Sequence, residues 1–260
     1  MPRWLQEQRA RALAGRNNRY HPPSWFGRHV TRNISPYVTW LFLRLGISAN
    51  QASVLRLVLI LAIASVFALT QLPWWWIGAA LASYLSNILD CVDGELARLR
   101  NNASPQGTYL DEFTGMAGGA AMLSGIAFGL YRMLGTHAIL VGFGAVVLML
   151  LTRTHIPLLR SIAFEWGVPA PAKESAREQE ERWVRRAHRG AMWLLIVPGL
   201  QYLPHLVLAS VLDIFVPEFF LFGLAFNVRL LWLTFYTLGL LSAVAARAWL
   251  TMRNGISSQL

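Results

Sequence analysis

Long apolar runs, broken by short polar or proline-containing stretches, organise this chain. Six runs reach the roughly twenty residues that a helix needs to cross a bilayer; they fall at about 51–70, 73–96, 108–132, 136–157, 190–212 and 219–250. The last is long enough to tilt or to extend beyond a membrane. Pro73, Pro105 and Pro217 lie near expected helix ends, where a missing N–H does least harm. Ahead of the first run, Trp25, Phe26, Val30, Ile34, Val38, Leu41 and Leu45 recur at near-helical spacing, with His29, Arg32, Asn33 and Arg44 between them. That pattern predicts an amphipathic interfacial helix over 24–47, and Pro36 predicts that it is split in two.

The fold class expected is therefore all-α: a polytopic membrane protein with six transmembrane helices preceded by an amphipathic interfacial helix. Its parts are a basic arm over 1–23, the interfacial helix over 24–47, a membrane domain over 48–252 with a polar cytoplasmic loop at 158–189, and a tail over 253–260. The arm lacks the apolar core of a cleavable signal, and Arg9, Arg11, Arg16 and Arg19 suit anionic headgroups.

Composition supports a membrane protein. Charged residues make up 14% of the 260 positions and hydrophobic ones 55%, with a mean hydropathy of +0.42; a soluble domain carries about a quarter charged residues. The formal net charge of +10 suits an anionic membrane surface or an anionic substrate; with so much apolar sequence, nucleic acid is not expected as a partner. Basic residues cluster before residue 47, at Arg98 and Arg100, and from Arg153 to Arg189, while the other short loops carry almost none. Positive charge inside puts both termini and the 98–107 and 158–189 loops in the cytoplasm, and a bacterial cytoplasmic (inner) membrane is the expected location. Trp74, Trp75 and Trp76 fit an aromatic belt at the opposite interface. In the 158–189 loop, interleaved Glu and Arg predict a solvated surface helix. The lone Cys91 reads as a small hydrophobe. His155, His188 and His205 lack metal-ligand spacing, Asp213 and Glu218 suit a solvated far interface, and Arg229 either pairs with a carboxylate, snorkels, or grips an anionic acceptor.

The chemistry concentrates in one hairpin. Asp90, Asp93, Glu95, Arg98, Asp111 and Glu112 sit at or inside the ends of the second and third runs, and ionisable groups at membrane depth mark function by default. Asp90 and Asp93 share a helix face, and a short turn returns Asp111 beside them. Three clustered carboxylates must protonate, pair with arginine or bind cations; oxygen ligands alone suit Mg²⁺ or Mn²⁺, one or two ions, which commonly bridge carboxylates to phosphates. Gly94 and Gly107 allow close approach, and the Arg98 fork suits a phosphate oxygen. A purely structural Asp–Arg network is the competing reading.

The spacing Asp90-x2-Asp93-Gly94-x2-Ala97-Arg98-x8-Gly107-x3-Asp111 resembles the D-x2-D-G-x2-A-R-x8-G-x3-D-x3-D signature of the CDP-alcohol phosphotransferase (phosphatidyltransferase) family, matching seven of its eight fixed positions. Residues 48–53 are similar, more loosely, to that family's Pro-Asn-x-x-Thr stretch, and the resemblance extends over about 25–250. It implies that Asp90, Asp93 and Asp111 hold divalent ions against the diphosphate of a CDP-linked alcohol or lipid such as CDP-diacylglycerol, with Gly94, Ala97, Arg98, Gly107 and Asn50 shaping the substrate site. An acceptor hydroxyl would then displace CMP, as in phospholipid synthesis, beside membrane lipids and often in a homodimer. The signature's final aspartate, a metal ligand and the family's base, is Gly115 here, which leaves the catalytic base unassigned; Glu112 is three residues away and only a weak substitute. An inactivating substitution, a non-catalytic homologue that binds CDP-linked ligands, and an enzyme using another base all follow from Gly115. A transporter would require inverted repeats or broken helices in both halves, and the sequence has neither.

Overall fold

The computed structural model describes residues 30–167, 202–216, 218–221 and 223–254. In chain order they form α1 (Arg32–Arg44), α2 (Ala49–Leu69), α3 (Pro73–Leu99), α4 (Pro105–Leu134), α5 (Thr136–Glu165), α6 (Tyr202–Phe215), a two-stranded hairpin of β1 (Phe219–Leu221) and β2 (Leu224–Phe226), and α7 (Val228–Asn254). The chain divides into two compact units, 1–129 and 130–260.

In the first unit each helix begins where the sequence supplies a start. Ser48 caps α2 in a reciprocal box: its Oγ accepts the Gln51 N–H at 3.2 Å, and Gln51 Oε1 accepts the Ser48 N–H at 2.8 Å. Pro73 and Pro105 open α3 and α4, where their missing N–H groups would find no partner in any case. Helix α3 packs on α1 and α2 through a core of Phe42, Ala52, Ile88, Leu89, Val92 and Leu96.

Helix α4 meets α2 along Gly118, Gly125 and Gly129. A Cβ at Gly118 would lie 2.8 Å from Ile60 Cδ1, and at Gly125 or Gly129 it would run into the Ala64 or Phe67 carbonyl. Gly125 and Gly129 form a small-xxx-small pair that lets two helix backbones touch, the usual device where lipid removes the hydrophobic drive to associate. The close approach carries Asp111, lower on α4, toward α2.

Two expectations for this unit change, the split at Pro36 and the tryptophan belt, and the packing of α1 adds a feature the sequence did not show. Helix α1 runs unbroken through Pro36 from Arg32 to Arg44, and residues 24–29 of the expected helix lie outside those described. Its inward face is Ser35, Pro36, Thr39 and Phe42, while Ile34, Tyr37 and Leu41 are exposed, so the hydroxyl-bearing side faces the protein. The reason is Glu95: this fully buried carboxylate accepts Ser35 Oγ at 2.7 Å and Thr39 Oγ1 at 2.6 Å. A buried charge must be hydrogen-bonded, and one turn of α1 supplies both donors. Of the three tryptophans, Trp74 and Trp75 are exposed, but Trp76 is fully buried; its Nε1–H donates to the Thr70 carbonyl at 2.9 Å, and its ring meets Phe67 edge-on at 5.0 Å.

In the second unit α7 packs against α5 and α6. Helix α5 continues through Pro157 to Glu165, so the 158–189 loop cannot begin at 158; residues 168–201, which include His188 and the first part of the expected fifth span, are outside those described. The expected sixth span does not begin at 219. Phe219–Leu221 and Leu224–Phe226 pair as the hairpin, with Gly223 at the turn (φ +78°), Phe219 paired to Phe226 and their rings stacked at 6.0 Å. An unbroken apolar run hid this turn, and α7 starts only after Asn227 caps it by accepting the Leu230 N–H at 2.9 Å. Asp213 is not at a solvated interface. Its side chain is out of solvent, pairs with the buried Arg229 guanidinium and accepts the Val228 N–H at 3.1 Å, so Arg229 takes the carboxylate-pairing role. Near the other end of α7, Arg247 Nη1 donates to the Thr152 carbonyl at 2.8 Å.

Four described helices, Ala49–Leu69, Pro105–Leu134, Thr136–Glu165 and Val228–Trp249, are long and apolar enough to cross a membrane. Helix α3 matches them in length with 27 residues, and α6 is a shorter apolar helix. Exposed Val54, Leu55, Val58 and Leu61 on α2, and Leu140, Phe143, Val147 and Leu151 on α5, give these helices apolar outer faces suited to lipid. The chain is an integral membrane protein of all-α class, with one small hairpin among the described residues.

Candidate active site

The end of α3, the start of α4 and the first half of α2 meet in the first unit. Helix α3 ends at a turn in which the Asn102 N–H donates to the Ala97 carbonyl at 3.0 Å and Asn101 takes a left-handed φ of 52°. Ser104 then caps α4, its Oγ accepting the Gly107 N–H at 3.1 Å. This tight return sets Asp111 opposite Asp90 and Asp93, as the spacing predicts.

Arg56 lies at the centre. Its Nη1 is 2.5 Å from Asp90 Oδ1 and 3.0 Å from Asp111 Oδ1, so one guanidinium nitrogen joins two helices. The Arg56 side chain is 11% exposed, whereas those of Asp90 and Asp111 are 48% and 49% exposed. Asp93 is buried, accepting Ser53 Oγ at 2.8 Å through Oδ2 and the Gly94 N–H at 2.6 Å through Oδ1. The three aspartates stand within electrostatic reach of one another. The cluster is thus sealed at Asp93 and open at Asp90 and Asp111, which suits binding of a charged group from one side.

The other expected site residues gather near it. Gly94 leaves room for Arg98, whose Nη1 would be 3.2 Å from a Cβ there, so Arg98 folds back over Gly94. Asn50 Oδ1 and Ser104 Oγ would be 3.5 and 3.4 Å from a Cβ at Gly107, which brings Asn50 and Gly107 together at the start of α4. Glu112 is exposed. At Gly115 the nearest group to an added Cβ is Arg56 Nη2 at 3.6 Å.

Arg56 is the residue that the motif did not predict. A signal for it exists: it is the single charged side chain in the 21 residues of α2, the kind of position that marks a site in a membrane helix.

The fit of a hard divalent ion turns on these residues. The donors are carboxylate oxygens, the right chemistry for Mg²⁺ or Mn²⁺, and a cation already stands between two of them. Among the described residues, no three acidic, histidine or cysteine side chains are set as ligands to a common point; the guanidinium spans the gap instead. By donor type the cluster fits such an ion.

Comparison with known proteins bears on the same residues. No curated protein sequence matches the chain. Among solved structures, the apo phosphatidylinositol phosphate synthase of Mycobacterium tuberculosis has a similar fold, with a TM-score of 0.56 at 14% identity, over 85% of this chain and 97% of that one. The family model for CDP-alcohol phosphatidyltransferase matches residues 47–216, which is more than half of the 260 residues and includes the whole acidic hairpin and Arg56. The chain belongs to the CDP-alcohol phosphatidyltransferase family.

Proposed function

We propose that this chain is an active transferase that moves a phosphate-linked alcohol from a CDP-alcohol, of the CDP-diacylglycerol type, to an acceptor hydroxyl and releases CMP. The observation that carries the reading is the cluster of Asp90, Asp93 and Asp111 around a cation, open on the side of Asp90 and Asp111. Family membership supports the class of reaction.

In this reading Asp90, Asp93 and Asp111 would hold Mg²⁺ or Mn²⁺, which when bound supplies positive charge against the diphosphate. Arg98, folded over Gly94, offers its planar fork to a phosphate oxygen, and Asn50 with Gly107 lines the nucleotide side. The acceptor oxygen bonds to the β-phosphorus while the bridging bond to the α-phosphate breaks, and CMP departs with the bonding electrons. Gly115 cannot take the acceptor's proton, so the base lies elsewhere. Both termini and the acidic hairpin face the cytoplasm in this reading, following the positive-inside pattern.

The test is CMP release. Membranes containing the protein, with Mg²⁺ or Mn²⁺ and a panel of CDP-alcohols and hydroxyl acceptors, should release CMP, and Asp93→Asn should abolish it. Gly115 favours one second reading, a homologue that binds CDP-linked lipid without turnover. Cytidine-nucleotide binding with no CMP from any pair would support that reading, more so if Gly115→Asp then gained turnover. Absence of both binding and release would overturn the two together.

A further inference from the structure

We propose that Glu95 is a positioning residue for the acidic hairpin: by gripping α1 it fixes the rotation and register of the turn of α3 that carries Asp93 and Arg98. This role rests on the reading of Asp93 and Arg98 as substrate-site residues. The need for it begins at Gly94. Glycine weakens a helix because its backbone has the most freedom to lose, and Gly94 stands between Asp93 and Glu95 near the end of α3. Both neighbours of that weak point are tied down by hydroxyl groups. Ser53 of α2 donates to Asp93 Oδ2 at 2.8 Å, and Ser35 and Thr39 of α1 donate to the two Glu95 oxygens at 2.7 and 2.6 Å. Two residues along a helix turn roughly 200° around its axis. The two carboxylates therefore take their partners from different flanks of α3, which is held between α1 and α2.

The grip on α1 is specific in register. Ser35 and Thr39 lie one turn apart, and each bonds its own oxygen of a single carboxylate, so sliding α1 by one residue or rotating α3 breaks both bonds. Phe42 and Val38 of α1 share an apolar cluster with Val92 and Leu96 of α3, but such contacts are non-directional and tolerate slip. If α1 needed only to pack, an apolar residue at 95 would serve without desolvating a charge. Glu95 is instead 5% exposed, and its burial makes loss of either hydroxyl costly. Three residues on, Arg98 folds over Gly94, so the setting of this turn decides where its fork points. The outer face of α1 exposes Ile34, Tyr37, Leu41 and Leu45, a stripe suited to lipid, so a helix seated on the membrane braces the motif.

The test compares full-length variants in detergent, each corrected for its folded fraction. Glu95→Ala should lower kcat for CMP release at least about tenfold and leave KM for the CDP-alcohol within about threefold, because the donor still binds but sits off its productive geometry. Glu95→Gln, whose amide can bond both hydroxyls, should stay within about threefold of the wild-type kcat. Arg229→Met, destabilised in the other unit, should not lower kcat, which separates positioning from loss of stability. Amide hydrogen exchange without substrate is the second readout: Glu95→Ala should speed exchange across residues 90–98 as well as 32–44. A wild-type kcat in Glu95→Ala, a change in KM alone, a loss matched by Arg229→Met, or faster exchange confined to 32–44 overturns the role of Glu95 and leaves the transferase reading standing. If the wild type releases no CMP from any pair, the transferase reading fails, and exchange at 90–98 alone decides whether Glu95 sets this turn. Should Glu95→Ala fail to fold, Ser35→Ala removes one of the two bonds and should lower kcat about threefold; an unchanged kcat then overturns the role.

Discussion

Each unit of this protein places arginine against aspartate inside a helical frame, and the two arrangements differ in kind. In the second unit Arg229 and Asp213 form a one-to-one pair whose side chains are 1% and 5% exposed. In the first, Arg56 is shared between Asp90 and Asp111, both about half exposed, with the buried Asp93 alongside. The Arg229–Asp213 pair is balanced and closed, one charge against one with both side chains out of solvent. The Arg56 cluster carries surplus negative charge and an open side, so it is built to receive something. An ion pair is therefore read by its balance and its access rather than by its distance.

The largest effect expected from this contrast is at the closed pair. Removing one partner of a buried ion pair strands the other charge and costs about 3–5 kcal/mol, whereas replacing both with apolar residues of similar size is near neutral. Arg229→Met should lower stability by about that amount in detergent unfolding, and Asp213→Leu/Arg229→Met should recover most of it. A small loss from the single variant would place Arg229 with the half-open type.

Glu95 provides an intermediate case, a buried carboxylate held by two hydroxyls instead of a cation. Hydrogen bonds to a charged group contribute about 1.5–3 kcal/mol each. Ser35→Ala or Thr39→Val should each cost on that order, and Glu95→Gln should cost less than the Ser35→Ala/Thr39→Val pair, because the amide still accepts. The same variants should loosen α1, read as faster proteolysis near residues 32–44.

Much of this architecture was legible in the sequence, and the exceptions share a physical cause. The motif spacing placed Asp90, Asp93 and Asp111 in one cluster, because an i,i+3 pair and a short helical return leave little geometric freedom. Arg56 went unread because it lies 34 residues before Asp90 and outside the motif, although a lone charge in an apolar helix was signal enough. The Gly125–Gly129 contact was equally present as a small-xxx-small spacing. The inward face of α1 was not legible: its exposed apolar stripe gives the amphipathic period, and only tertiary structure shows that Ser35 and Thr39 face Glu95. The hairpin at 219–226 was hidden because apolar residues continue through it, and hydropathy does not distinguish a strand from the start of a helix in so short a run.

The smallest stability effect and the sharpest test of the contrast come together at Asp90. Its carboxylate is 48% exposed and shares Arg56 with Asp111, so Asp90→Asn leaves the guanidinium paired and relieves repulsion among the three acids. The expected change in stability is within about 1 kcal/mol in either direction, the range for a solvent-accessible pair. CMP release should nevertheless fall on the order of 100-fold, since a carboxylate positioned to hold an ion has lost its charge. Arg229→Met should show the reverse, with a large loss of stability and, at temperatures where it stays folded, release close to wild type. If Asp90→Asn instead destabilised the protein by several kcal/mol and left release unchanged, the cluster would be a structural lock like the Arg229–Asp213 pair, and its open side would carry no function.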